Sequence, residues 1–183
     1  TEIYTLSLHD ALPISPGLAL EPMERAWLLR HPSIRVGGPR AFPPFHYYDE
    51  EGNAAGMASD YLRLLSRQIG LRIQEHGESP WPEVLKNVGE KTVDVLSCAA
   101  QTRERGAFLL FSKPFLSFPM VIITRKDAPF VSGLNDLPGM KTALVRGNSV
   151  SEWLRRDRIE VVPHFVDAPL EALKAVSFGL ADA

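Results

Sequence analysis

Among the residues able to do chemistry, Arg105 stands first. It closes the run Thr102-Arg103-Glu104-Arg105, a few residues past an apolar stretch that ends at Cys98. A planar guanidinium offers paired donors to a carboxylate, and partial burial strengthens such a bond. The alternative is a structural ion pair within the protein, with Glu104 or Asp60 as partner. General acid–base work would need a titrating group facing a cleft. His46, Glu78 and His164 are the candidates, and each also reads as an ordinary solvated loop residue. The five histidines are scattered, with no metal-ligand spacing. No Gly-x-Ser-x-Gly elbow, His-Glu-x-x-His pair or phosphate loop occurs. Cys98, the single cysteine, sits in Val95-Leu96-Ser97-Cys98-Ala99-Ala100 and reads as a small buried strand residue, not a reactive thiol. Asn148 and Ser149 follow Gly147 where a helix begins. There they would either cap the helix or help its free N–H groups meet an anion.

The elements that must position these residues alternate in type. A short helical pattern over Glu24–Arg30 is stopped by His31-Pro32. Ile34–Gly38 reads as a first strand, and Pro39–Tyr48 as a loop rich in proline and aromatics. A helix is predicted over Ala58–Ile69, where Tyr61, Leu62, Leu65 and Ile69 recur at helical spacing and Gly70 ends the run. Leu71–Ile73 begins a second strand and Trp81–Val88 a second helix, with Pro82 in its first turn. Val93–Cys98 is apolar without alternation, as in a strand covered on both faces. Strands are also expected at Met120–Thr124, Lys141–Val145 and Glu160–Val166, with helices at Val150–Arg156 and Pro169–Phe178. Ala181–Ala183 would open a further strand. This alternation predicts two α/β units with parallel crossovers, joined near residues 120–130. Small ligands bind at the strand ends of such sheets.

Composition narrows the function classes. The 183 residues are 45% hydrophobic and 23% charged, ordinary for a globular chain with one good core or two small lobes. A net charge of −2 argues against a nucleic-acid binder. No apolar run approaches the roughly 20 residues that span a bilayer, and no signal peptide is visible.

Four segments, taken in order, resemble family 3 of the bacterial extracellular solute-binding proteins. They are Ile34-Arg35-Val36-Gly37 followed by Phe42-Pro43-Pro44-Phe45; Gly56 leading to Asp60; Val93-Asp94-Val95 followed by Thr102-Arg103-Glu104-Arg105; and Phe111-Ser112-Lys113-Pro114-Phe115. A narrower likeness joins them. Glu24-Arg25-Ala26-Trp27-Leu28 with His31-Pro32, Phe118-Pro119, Thr124-Arg125 and Pro129–Leu134 with Leu137-Pro138-Gly139 resemble the flytrap domains of virulence-sensor-type membrane histidine kinases. The resemblance implies a two-lobed, periplasmic-binding-protein-like α/β fold with lobe 1 at 34–122, a hinge region at 123–133 and lobe 2 at 134–183. Residues 16–33 form the lead-in. Residues 1–15 resemble a translated sequencing-adapter peptide, and the second lobe is expected to be incomplete at Ala183.

The resemblance also implies a role and a site. Arg105 would hold a ligand carboxylate, Phe42 and Trp81 would sandwich its body, and Ser97, Asn148 and Ser149 would contact it. Phe45 and Tyr47 are expected as wall and core, not as contacts. No metal or cofactor is expected, and no catalysis by this chain. The partner would be a carboxylate-bearing small molecule outside the cytoplasmic membrane, with the domain tethered to a membrane protein and a dimer formed in the parent sensor. The alternatives are a transporter receptor, a dehydratase-like enzyme on the same fold, and the effector domain of a transcription regulator. The last would need a helix-turn-helix before Ile34. Three departures bear on ligand choice. Ala99 and Ala100 stand where hydroxyl residues are usual, leaving Ser97 and Gln101. Pro39 replaces an acid that anchors basic side chains. The residue that would fix a ligand's amino group falls past Ala183.

Overall fold

The computed structural model describes residues 19–183, so the expectation for residues 1–15 lies outside the described residues. Helix α1 (Pro22–Arg30) carries the Glu21/Glu24 capping box and Pro22 in its first turn, and stops at His31 before Pro32. Strand β1 (Ser33–Gly37) is the centre of the first sheet. β5 (Arg72–Glu75) pairs with it in parallel on one side, and β6 (Val95–Leu96) on the other. Being central, β1 buries Val36 completely. The Gly37 side of the sheet is covered by Val84 of α3 (Trp81–Gly89) and by Val93, each 3.2 Å from where a Cβ on Gly37 would stand, and Val36 points to the other face. Helix α2 (Met57–Ile69) turns Leu62, Leu65 and Ile69 inward and ends at Gly70, which is left-handed. Asp94 ties β1 to the segment before β6. It accepts from the Arg35 backbone N–H at 2.8 Å and pairs with the Arg35 guanidinium at 2.7 Å. These bonds hold its carboxyl at about 2.

Two sequence expectations for the first unit change. Pro39–Tyr48 is not all loop. β2 (Ala41–Phe42), β3 (His46–Tyr48) and β4 (Ala54–Ala55) form a small antiparallel sheet. The proline-rich composition hid strands only two or three residues long. The Val93–Cys98 run pairs as a strand only at Val95–Leu96, because β1 ends at Gly37 and offers no further ladder.

The second unit is a parallel pair, β7 (Lys141–Val145) and β8 (Val162–Val166), in register from Lys141 opposite Val162 to Val145 opposite Val166. Helices α4 (Ser149–Arg156) and α5 (Pro169–Ser177) follow the two strands. Leu137, Leu144 and Leu154 form one buried cluster, while Ala175, Val176 and Ala181 form a second that packs on Ala143 of β7. The strand expected at Ala181–Ala183 is not formed as a ladder. Yet Asp182 N–H donates to Lys141 O at 2.6 Å, and Ala143 N–H to Ala183 O at 2.7 Å, so the segment lies along β7. Met120–Thr124 forms no strand either. Among the described residues nothing lies beside it to complete a ladder, and Met120, Val121 and Ile123 are exposed. Arg125, at the crossing between the units, donates through Nη1 to Val176 O at 3.0 Å and Ala181 O at 2.9 Å.

Candidate functional site

In the first sheet the strand order β5-β1-β6 reverses direction at β1, which opens a crevice at the carboxyl ends of β1 and β6. The segments leaving those ends, Pro39–Phe42 and Cys98–Gln101, line a cavity of about 590 Å³. Its opposite wall comes from the segments leaving β7 and β8, with Asn148, Ser149 and Asp167. Both units therefore present strand ends to one cleft, and Phe111–Val121 runs along it.

Arg105 is buried at the junction of the two units. Thr102 Oγ1 accepts from its backbone N–H at 3.2 Å, starting the tight turn Arg105–Ala107 that fixes the side chain's origin. The guanidinium then crosses to the other unit. Nε donates to Glu152 Oε1 at 3.0 Å, and Nη2 lies 2.9 Å from the same oxygen. Nη2 also donates to Gly147 O at 2.9 Å, and Nη1 to Ala100 O at 3.3 Å. Its plane lies over the Trp81 ring, 5.6 Å from the centroid. So Arg105 makes the structural ion pair that the sequence allowed, but with neither of the partners first considered. Glu104 pairs instead with Arg155 at 3.1 Å, and Asp60 with Arg63 at 3.0 Å. These acids lie near Arg105 in sequence or on the first lobe, whereas the second lobe supplies the carboxylate that burial selects.

Trp81 lines the cavity and donates from Nε1 to Gly147 O at 2.9 Å. That carbonyl thus receives two donors from the facing unit. Gly147 has φ of +68°, and a Cβ there would stand 3.3 Å from Trp81 Cδ1, so glycine suits both the turn and the approach. Phe42 also lines the cavity, within an aromatic cluster. Its ring centroid is 5.0 Å from Phe45 and 6.3 Å from Phe118, and Phe45 stacks on Phe118 at 4.4 Å. Phe45 is wall, as expected. Asn148 and Ser149 both line the cavity, and Asn148 is at the same time a helix cap, accepting from Val150 N–H at 3.0 Å.

Ser97 is a correction. It is buried and lies outside the cavity wall, packed with His46 around Gly38. A Cβ on Gly38 would fall 2.4 Å from Ser97 Oγ and 2.5 Å from His46 Cε1. Ser97 stands in the bend just after β6, and its side chain turns to the interior beside His46. Of the acid–base candidates, His46 is buried rather than solvated, Glu78 is exposed and His164 lies half-buried on β8. None of the three lines the cavity. Cys98 does line it, with burial pushing its thiol up to about 11. Among the described residues no three His, Cys, Asp or Glu side chains stand together in a way that could hold a metal ion.

Sequence reasoning missed Glu152. Its spacing from Ser149 is that of a capping box, which reads as local helix chemistry. Asn148 takes the cap instead, and the Glu152 carboxylate is left free to reach Arg105.

Two α/β units sharing one cleft at the ends of their parallel strands define a two-lobed binding domain of the Venus-flytrap kind. The chain belongs to the bacterial extracellular solute-binding proteins, family 3, whose profile matches residues 34–177. It is 28% identical over 179 residues to the virulence sensor protein BvgS of Bordetella pertussis, covering 98% of this chain. It is 26% identical over 173 residues to the sensor protein EvgS of Escherichia coli O157:H7, covering 88% of this chain. The chain spans 14% of the length of each of these two relatives. The B. pertussis BvgS periplasmic VFT2 domain superposes with a TM-score of 0.76 at 29% identity, over 90% of this chain and 70% of that one. An ancestral arginine-binding protein shares the fold at a TM-score of 0.73 and 23% identity, over 82% of this chain and 68% of that one.

Proposed function

We propose that this chain is an extracytoplasmic sensory input module of a transmembrane sensor kinase, binding an amino acid or small carboxylate between its lobes and signalling by their closure. The observation that carries the binding role is a cavity of about 590 Å³ whose walls come from both lobes at their strand ends. A ligand touching both walls is bound more tightly by the closed arrangement, and so shifts the population toward it. Phe42 and Trp81 offer aromatic faces to the ligand's body, Arg105 a cation, and Asn148 and Ser149 the start of α4. The sensory role is supported by likeness to two sensor proteins along nearly the whole chain. Placement outside the cytoplasmic membrane follows the same relatives and the extracellular family.

The test is a thermal-shift screen against the amino acids and small mono- and dicarboxylates. A ligand at about a hundred times its Kd adds roughly 2.7 kcal/mol to stability, which raises the melting temperature by several degrees in a protein this size. A panel that leaves the melting temperature unmoved, with no heat on calorimetric titration, would remove the binding role.

A further inference from the structure

Arg105 is the buried cation of a cleft that Arg40 and Lys113 also line, yet its chelating edge is already filled from within the chain. Of Nε and Nη2, the two donors that grip a carboxylate side by side, Nε donates to Glu152 Oε1 at 3.0 Å and Nη2 lies 2.9 Å from the same oxygen. Both side chains are withdrawn from water, at 4% and 12% exposure, so the pair is a desolvated one and not a rim contact. Its two members come from different lobes, Arg105 from the turn after β6 and Glu152 from α4. The neighbouring bonds of Arg105 and Trp81 to Gly147 O cross the same gap. The Glu104–Arg155 pair also crosses between the units, but both partners are more than half exposed, so it adds little. Glu152 is itself poorly held. Its Oε2 is buried and has no hydrogen-bond partner among the described residues. Leaving Arg105 would therefore return an unsatisfied carboxylate oxygen to water, which offsets part of the cost of separating the charges.

We propose that Glu152 is a specificity-determining residue that occupies, from within the chain, the place on Arg105 a ligand's carboxylate would take. It latches the lobes in the absence of ligand, and a carboxylate ligand must displace it. A ligand that leaves Arg105 alone, and fills only the aromatic part of the cavity, meets no such competition. This rests on the binding role proposed above, but the latch is testable without any ligand.

The experiment compares the whole chain with Glu152→Gln, which keeps the shape and removes the charge, and with Glu152→Ala. In the first arm no ligand is added, and acrylamide quenching of tryptophan fluorescence is measured. Trp81 is held against Gly147 across the gap, so loss of the latch should raise its quenching while the circular dichroism spectrum stays native. Unchanged quenching in both folded variants overturns the proposal. In the second arm, benzoate and benzamide, alike in shape but differing in charge, are titrated by calorimetry. Wild type should bind benzoate no more tightly than benzamide. Glu152→Gln should gain on the order of tenfold for benzoate and change little for benzamide. Benzoate binding wild type tenfold more tightly than benzamide overturns the proposal with no variant involved. If neither probe binds any form while quenching rises in the variants, the latch stands and the displacement of Glu152 by a carboxylate of this shape falls.

Discussion

Burial of His46 beneath Gly38 leaves its ring with one partner, the Pro39 carbonyl 2.8 Å from Nδ1. Nε2 is buried and has no partner among the described residues, so the neutral ring with its proton on Nδ1 is the form that fits. Burial foremost, and then the nearby Arg63 charge, pulls its pKa below the ordinary histidine value, against the opposing bond to Pro39. The unfolded chain therefore takes up this proton first. Stability from this site is whole above about pH 6.5 and is lost as the pH falls from there through the depressed folded value. The melting temperature should accordingly drop between pH 7.5 and 5, and His46→Gln should flatten that drop. An identical pH slope in the variant would place the effect elsewhere. Asp94, held at about 2 by Arg35, stays ionised throughout this range and does not confuse the measurement.

At the scale of elements, α4 is the piece on which the site depends. Val150 and Leu154 anchor it to the second lobe's core, which leaves Glu152 and Trp153 on its other side toward the cleft. Its start is set by Asn148, whose side chain takes the Val150 N–H. Replacing Asn148 with alanine should cost about 1 kcal/mol by loss of the cap, read as a lower urea midpoint at unchanged slope. Asn148→Ser, which keeps a capping oxygen, should recover most of it. If Asn148→Ala is as stable as wild type, the cap contributes nothing here.

Across the whole molecule the lobes meet through a desolvated ion pair, so its two members should not act independently. Arg105→Met alone leaves Glu152 buried without a counter-charge, and Glu152→Gln alone strands the guanidinium. Each should be clearly destabilising, while the double variant should lose less than the sum. The coupling in a urea double-mutant cycle is expected on the order of 1–3 kcal/mol. Additive losses would show that the pair is an incidental neighbour contact. The same cycle separates a role in holding the lobes together from one in folding a single lobe, because neither residue belongs to its own lobe's apolar core.

Local pattern was enough to read the alternating α/β order, both units, their parallel sheets, and Arg105 as a residue held for its charge. These depend on periodicity and on breakers such as His31-Pro32 and Gly70, which act over a few residues and are written in the chain's own order. The strands of β2–β4 and the failed ladder at Met120–Thr124 were not legible, because a strand exists only by virtue of what lies beside it. The site's central fact was hidden for the same reason. Glu152 looks like local helix chemistry in sequence, forty-seven positions from Arg105, and Ser97 looks like a site hydroxyl. Only the folding of one lobe against the other decides that Glu152 faces the guanidinium while Ser97 turns inward. Electrostatic pairing in a dry interface depends on distance in space, which residue types and spacing along the chain do not encode.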